Sequence, residues 1–253
     1  MAKSILVANW KNHPDSLSLA KALLKEMAKK RELYKKLSLF IAPPFTYFES
    51  VSDNLGNFGK LASQNISALP SGNYTGQVTP DILKGFGVRL AIIGHSERRG
   101  FGETSEHIAK KIKVALRVGI VPLVCIGEKE RDTDGENFQF IQQELKLLLG
   151  GLSKKEVTRV AVAYEPVWAI GKHAKDAIDP VELSQTVVFM RKIFSDLFGR
   201  GAAEKIPILY GGSVEPANAG ELMRNSGVRG FLIGHASLSA KSFEAIARSI
   251  LEK

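Results

Sequence analysis

Short apolar runs recur along the chain at SILVANW (4–10), LSLFIAPP (37–44), LAIIGH (90–95), VPLVCIGE (121–128), VAVAYE (160–165), PILYGG (207–212) and GFLIGH (230–235), with a weaker one in KLASQN (60–65). Each is a continuous block rich in Val, Ile and Leu rather than an alternation of apolar and polar positions. Strands buried on both faces read this way, and such strands belong to parallel sheets. Between the runs, apolar positions return at helical spacing: Ala20, Leu23, Leu24, Met27 and Ala28; Phe138, Ile141, Leu145 and Leu148; Phe243, Ile246, Ala247 and Ile250. These stripes are core faces of helices. About eight strands alternating with helices predict an α/β fold whose parallel sheet is covered on its outside, either doubly wound or closed into a (β/α)8 barrel.

In strands that are apolar throughout, the polar residues at the ends carry the information. The first run ends on Asn9 and Lys11, the fourth on His95, the sixth on Glu165, the seventh in YGGS and the eighth in GHAS. All are C-terminal ends, which share one rim in either architecture and converge on the centre of a closed barrel. A carboxylate closing a buried strand is costly unless it is paired, so Glu165 makes sense as one of several reactive groups delivered to a common mouth. A carboxylate base, an imidazole donor and a fixed ammonium suit proton abstraction beside a carbonyl, where negative charge develops on oxygen. Rim glycines let backbone N–H groups approach a phosphate closely. The chain has no GxGxxG, Walker A or HExxH sequence, so dinucleotide, nucleoside triphosphate and zinc-protease chemistry lack support.

Composition adds limits. The 253 residues suit one large α/β domain, and no linker divides them. No apolar run approaches the ~18 residues of a membrane span, and the N-terminus turns polar too soon for a signal peptide. The single cysteine, Cys125, reads as a small buried hydrophobe and suits a reducing cytoplasm. Thirty-five basic against 26 acidic residues give a net charge of +9. The densest basic stretch, KEMAKKRELYKK (25–36), lies toward the end of an amphipathic helix, where lysines complement the dipole, and no aromatic platform accompanies it. Neither nucleic acid nor membrane is therefore an expected partner, whereas a small anionic substrate fits the positive field.

In this order and combination, NWK (9–11), SQN (63–65), YTG (74–76), IGHSERR (93–99), VCIGE (124–128), AYEPVWAIG (163–171) and YGGSV (210–214) resemble the triosephosphate isomerase family over essentially the whole chain. The resemblance implies one (β/α)8 barrel domain over residues 1–253, a cytoplasmic homodimer, and interconversion of dihydroxyacetone phosphate and D-glyceraldehyde 3-phosphate in glycolysis and gluconeogenesis, with no cofactor or metal required. Carried over position by position, it makes Glu165 the base and His95 the electrophile that polarises the carbonyl. It gives Lys11 a fixed positive charge toward the substrate, with Asn9 beside it, and makes Glu97 the residue that positions Lys11. The backbone N–H groups of Gly171, Ser213, Gly234 and His235 would hold the phosphate of the small triose. The stretch PVWAIGKHAKDA (166–177) resembles the family's lid, latched by Tyr210 and Ser213. Pro166 keeps Glu165 out of the helical region, so carboxylate and lid should shift together. Loop 69–79 would dock into the partner subunit, with Thr75 reaching its site.

Three positions depart from the family pattern. The lid tip contains Lys172 and His173, and His235 occupies a position where the family usually has glycine. Gln77 stands where an acidic residue is common, which leaves Arg98 of the partner subunit without its expected carboxylate. A left-handed backbone costs a non-glycine residue about 1–2 kcal/mol, so a negative φ is expected at His235. Two rival readings are another phosphosugar aldose–ketose isomerase on the same barrel and a secondary surface-binding role, the latter suggested by the basic charge alone.

Overall fold

The computed structural model describes residues 3–130, 135–169, 171 and 177–252. Within them strand β1 (Ile5–Asn9) pairs in parallel with β2 (Ser38–Ala42), and β3 (Lys60–Ser63), β4 (Leu90–Ile93), β5 (Val121–Ile126), β6 (Ala161–Tyr164), β7 (Ile208–Tyr210) and β8 (Gly230–Ile233) follow in sequence order. Parallel pairing of β8 with β1 closes the barrel, which decides the alternative between closed and doubly wound sheets. Every strand coincides with one of the apolar runs. Their continuity has a simple origin in the twofold period of the strand. One set of residues, including Val7, Phe40, Leu90, Leu123, Cys125 and Leu232, fills the barrel interior. The alternate set, including Leu6, Leu39, Ile93, Val124, Val162 and Phe231, packs outward into the larger cluster shared with the helices.

The helices are α1 (Leu17–Ala28), α2 (Arg31–Tyr34), α3 (Phe48–Leu55), α4 (Pro80–Gly85), α5 (Ser96–Gly100), α6 (Ser105–Val118), α7 (Glu136–Leu149), α8 (Lys154–Val157), α9 (Pro180–Phe198), α10 (Arg200–Ala203), α11 (Ala219–Asn225) and α12 (Ala240–Ser249). The stripes expected in α1, α7 and α12 are core faces: Ala20, Leu23, Leu24 and Met27, then Ile141, Leu145 and Leu148, then Phe243, Ile246 and Ala247 are buried. Phe138 is only half-buried and meets Phe189 of α9 edge-on, with ring centroids 4.8 Å apart. The basic stretch 25–36 belongs to two helices rather than one. The chain turns between Ala28 and Arg31, and α2 then buries Tyr34 against the rings of Phe58 and Phe243. No helix among the described residues is long and apolar enough to cross a membrane.

Helix α6 escapes a simple stripe reading because Lys111 takes one of its buried positions, at 2% exposure. Its ammonium donates to Asn65 Oδ1 at 2.6 Å and to the carboxylate of Glu103, itself buried. Burial pulls the Lys111 pKa down, and the Glu103 carboxylate opposes that pull. This interior pair ties α6 to the loops that follow β3 and α5, and it holds the rim near the mouth of the barrel. A buried pair of this kind specifies geometry more than it stabilises, since desolvating both charges offsets much of their attraction.

The seam between first and last strands depends on one glycine. Gly230 has φ +150°, and a Cβ placed there would lie 1.7 Å from the Ile5 carbonyl oxygen. A backbone atom cannot give way as a flexible side chain would. Gly230→Ala is therefore expected to cost at least ~3 kcal/mol of stability, read as a lowered urea midpoint with unchanged slope. A midpoint equal to that of the parent chain would show that the seam tolerates displacement.

Candidate active site

The exit of β1 is strained. Beyond Asn9 the chain reaches Lys11 at φ +51°, the sole non-glycine residue with positive φ among those described. The left-handed region costs such a residue about 1–2 kcal/mol, so neighbouring groups must hold it there. Lys11 N–H donates to Asn9 Oδ1 at 3.1 Å, and Lys11 C=O accepts from Gln64 Nε2 at 2.7 Å. Gln64 Nε2 also donates to the carbonyl of Ala42, at the end of β2, at 2.9 Å. One amide thus joins the exits of three strands and fixes the backbone of Lys11. The Lys11 ammonium then meets Glu97 Oε1 at 2.5 Å, the arrangement expected of a positioning carboxylate. Sequence reasoning assigned no role to Gln64, because its work is done on backbone carbonyls that no spacing reveals.

His95 leaves β4 as the N-cap of α5. Its Nδ1 accepts from the Glu97 backbone N–H at 3.2 Å, which requires that nitrogen to be unprotonated. The ring is therefore neutral with its proton on Nε2, and Nε2 lies 3.5 Å from Glu165 Oε1. Glu165 is 2% exposed. Its Oε2 has one long hydrogen bond, 3.4 Å from the Ser96 N–H, while Oε1 has no hydrogen-bond partner. Burial pushes the Glu165 carboxyl above the usual glutamate range. His95, the Cys125 thiol, the Ser96 amide and Lys11 pull in the opposite direction but do not cancel it. Gly211 provides the room this side chain needs, for a Cβ there would stand 2.7 Å from Glu165 Cγ.

One cavity of about 380 Å³ at the C-terminal end of the barrel collects these groups. Asn9, Lys11, His95, Glu165, Gly171, Ser213, Gly234 and His235 all line it, and Glu97 stands one ion pair behind. All the site residues expected from the sequence are thus brought together. The Ser213 hydroxyl donates to the Ala169 carbonyl at 2.9 Å, linking the β7 exit to the start of the expected lid. Tyr210, the other expected latch, is fully buried, and that burial pushes its phenol up to about 12. His235 opens a tight helical turn over His235–Leu238 and avoids positive φ, as expected. The unusual lid tip, Lys172 and His173, lies outside the described residues. Arg98, expected to lack a carboxylate of the partner subunit, has Glu103 of its own chain at 3.9 Å.

Glu128 is a further residue that sequence reasoning passed over. It ends the β5 run as Glu165 ends the β6 run, so the same signal was present. Buried at 3% exposure, its Oε1 accepts from the Tyr164 hydroxyl at 2.8 Å and from Trp168 Nε1 at 2.9 Å. Two strong donors make Glu128 an anchor for the base of the lid segment, whereas the poorly satisfied Glu165 is left reactive.

A family model described as "Triosephosphate isomerase" matches residues 4–250. A triosephosphate isomerase from Citrifermentans bemidjiense is 41% identical over 251 residues, covering 98% of this chain and 99% of the relative. One from Dictyoglomus thermophilum is 38% identical, with 98% and 100% covered, and one from Dictyostelium discoideum is 38% identical, with 94% and 93% covered.

The environment of Glu165 carries a stability cost with a definite sign. A carboxyl whose folded pKa is raised holds its proton more tightly in the native state than in the unfolded chain. Native stability is therefore lost as pH rises from the ordinary glutamate value through the raised one. Glu165→Gln removes the titration, so the variant should be more stable than the parent at about pH 8, with the difference shrinking toward about pH 4. Urea midpoints of both proteins at the two pH values check this. A difference independent of pH would contradict it.

Proposed function

The chain belongs to the triosephosphate isomerase family and interconverts dihydroxyacetone phosphate and D-glyceraldehyde 3-phosphate; from that premise we propose a division of labour within its site. The observation that carries the proposal is the buried, underbonded Glu165 carboxylate, 3.5 Å from His95 Nε2 in the cavity that Lys11 also lines. Glu165 takes a proton from the carbon beside the substrate carbonyl. The electron pair of that C–H bond moves into the carbon–carbon bond, and the carbonyl electrons move onto oxygen, giving an enediolate. The Nε2–H of neutral His95 donates to that oxygen, and the Lys11 ammonium supplies fixed positive charge beside it. Protonated Glu165 returns its proton to the neighbouring carbon while His95 moves the hydroxyl proton between the two oxygens. A base lifted above the ordinary glutamate range is better matched to this task than a solvated one.

Asn9 shapes the oxygen-binding end, and Glu97 holds Lys11. Gly171, Ser213, Gly234 and His235 bind the phosphate through their backbone N–H groups. A substrate series would expose any broader isomerase activity on larger phosphosugars. Residues 1–253 act as a single domain in a reducing cytoplasm, in keeping with the lone, buried Cys125.

The active unit is a homodimer. Residues 69–77 stand exposed beyond the β3 exit and carry Leu69 and Tyr74 in the open. Phe101, beyond the β4 exit, is 87% exposed. Phe45 and Phe86, also exposed, stack edge-on against Phe48 beside them. Phe45, residues 69–77 and Phe101 lie on the segments that follow β2, β3 and β4, next to the β1 exit from which Asn9 and Lys11 emerge, and Phe86 closes α4 beside them. A second copy would bury this apolar rim and bring Thr75 of loop 69–79 to the partner's site.

A coupled assay of glyceraldehyde 3-phosphate consumption tests the chemistry. Glu165→Gln keeps the shape and removes the base, so turnover should fall by at least ~10²–10⁴-fold while a non-reacting phosphate analogue still binds. Near-parental turnover would overturn the assignment of Glu165. For assembly, sedimentation of the parent chain should give twice its 27.6 kDa mass, and Phe101→Asp should shift it toward monomer with a loss of turnover. A fully active parent monomer would refute the dimer.

A further inference from the structure

The described side chains that line the cavity are poorly balanced for the anion it is proposed to hold. Lys11 brings one positive charge, while Glu165 and Glu215 each bring a negative one, and the Lys11 ammonium is already engaged by Glu97 at 2.5 Å. A phosphate monoester adds a charge of about −1.5 to −2 near neutral pH. Backbone N–H groups stabilise such an anion locally but contribute no net charge. Two histidines line the cavity. His95 is committed, with Nδ1 held by the Glu97 amide and Nε2 facing Glu165. His235 is not. It lines the cavity and is exposed at its mouth, on the turn that leads into α12.

We propose that His235 binds the substrate's phosphate through its imidazolium, so that the mouth holds the phosphate more tightly on the acid side of neutrality. This inference rests on the triose phosphate reading of the same cavity, and it assigns the side chain a role that the backbone N–H alone does not have. The charged groups that share this mouth are Lys11, from the β1 exit, and Glu215, from the β7 exit, and a bound phosphate dianion adds negative charge to it. Ser242 of α12 lines the same mouth as a neutral hydroxyl, and His95 and Glu165 sit deeper, at the β4 and β6 exits. Histidine is the residue type that changes charge between about pH 5 and 8, so the effect belongs to that range.

The sign follows directly. Imidazolium binding is present below the histidine pKa and lost above it. The substrate phosphate titrates close by, at about pH 6, so a single pH profile cannot separate the two groups. The ratio of kcat/KM for the parent chain to that for His235→Gln cancels the titration of the substrate and of every group the two proteins share. That ratio should fall by about 1.5- to fivefold between pH 6 and pH 9, the range expected of a solvent-exposed charge pair. The change should reside in KM, and inorganic phosphate as a competitive inhibitor should show the same ratio. His235→Arg keeps a cation throughout, so its kcat/KM relative to the parent should rise with pH. A flat ratio for His235→Gln in a protein that still isomerises triose phosphates would overturn the inference while leaving the reading of the site intact. A parent chain without isomerase activity would remove the reading itself.

Discussion

The structure is organised around one expensive choice: a carboxylate buried at the end of a strand with one oxygen left without a hydrogen bond. Glu165 at 2% exposure sits where a charge is costly, and the groups around it compensate only in part. Glu128, an equally buried carboxylate, also has one oxygen without a hydrogen bond, but its other oxygen accepts from both Tyr164 and Trp168, whereas the single hydrogen bond of Glu165 is 3.4 Å long. Both residues close apolar runs. Their different surroundings make one an anchor and the other a base.

A base kept reactive in this way demands a rigid mouth, because the partners that act with it must be placed by groups other than itself. The barrel provides the frame, since each strand delivers its last residue to the same rim. The rim is then stiffened by polar links that cross between strands. Gln64 spans the exits of β1 and β2 and holds the left-handed backbone of Lys11. The buried Lys111 joins Asn65 to Glu103. The Glu97 amide fixes the tautomer of His95 while the Glu97 carboxylate holds the Lys11 ammonium, so one residue sets both groups that face a developing oxyanion. The strain at Lys11 is affordable only because these links over-determine it.

The same rim leaves apolar residues in solvent. Leu69, Tyr74 and Phe101 project from the loops that also position catalytic backbone, so stabilising those loops and covering that surface are a single physical problem. A partner subunit would answer both needs at once, by burying the aromatic rim and limiting the motion of the strained β1 exit beneath it.

The sequence by itself determined the eight strands, their burial on both faces and the residues at their ends, because a strand with apolar neighbours above and below must be written as a continuous apolar run. It also marked Asn9, Lys11, His95, Glu165 and the glycine-rich exits as one group, since all lie at the same end of such runs. Some features it obscured. Helix α6 hides its core face behind Lys111, a residue that reads as surface until Glu103 and Asn65 are placed around it. Strand periodicity alone left closed and doubly wound sheets open and the family motifs implied closure; the tertiary structure shows how closure is made, through the glycine seam of β8 against β1. It alone showed the positive φ of Lys11, the bridging role of Gln64, the tautomer of His95 and the contrast between Glu128 and Glu165. Each of these rests on distances between segments far apart in the chain, and the chemical state of a polar group is fixed by what surrounds it in space, which one-dimensional spacing does not encode.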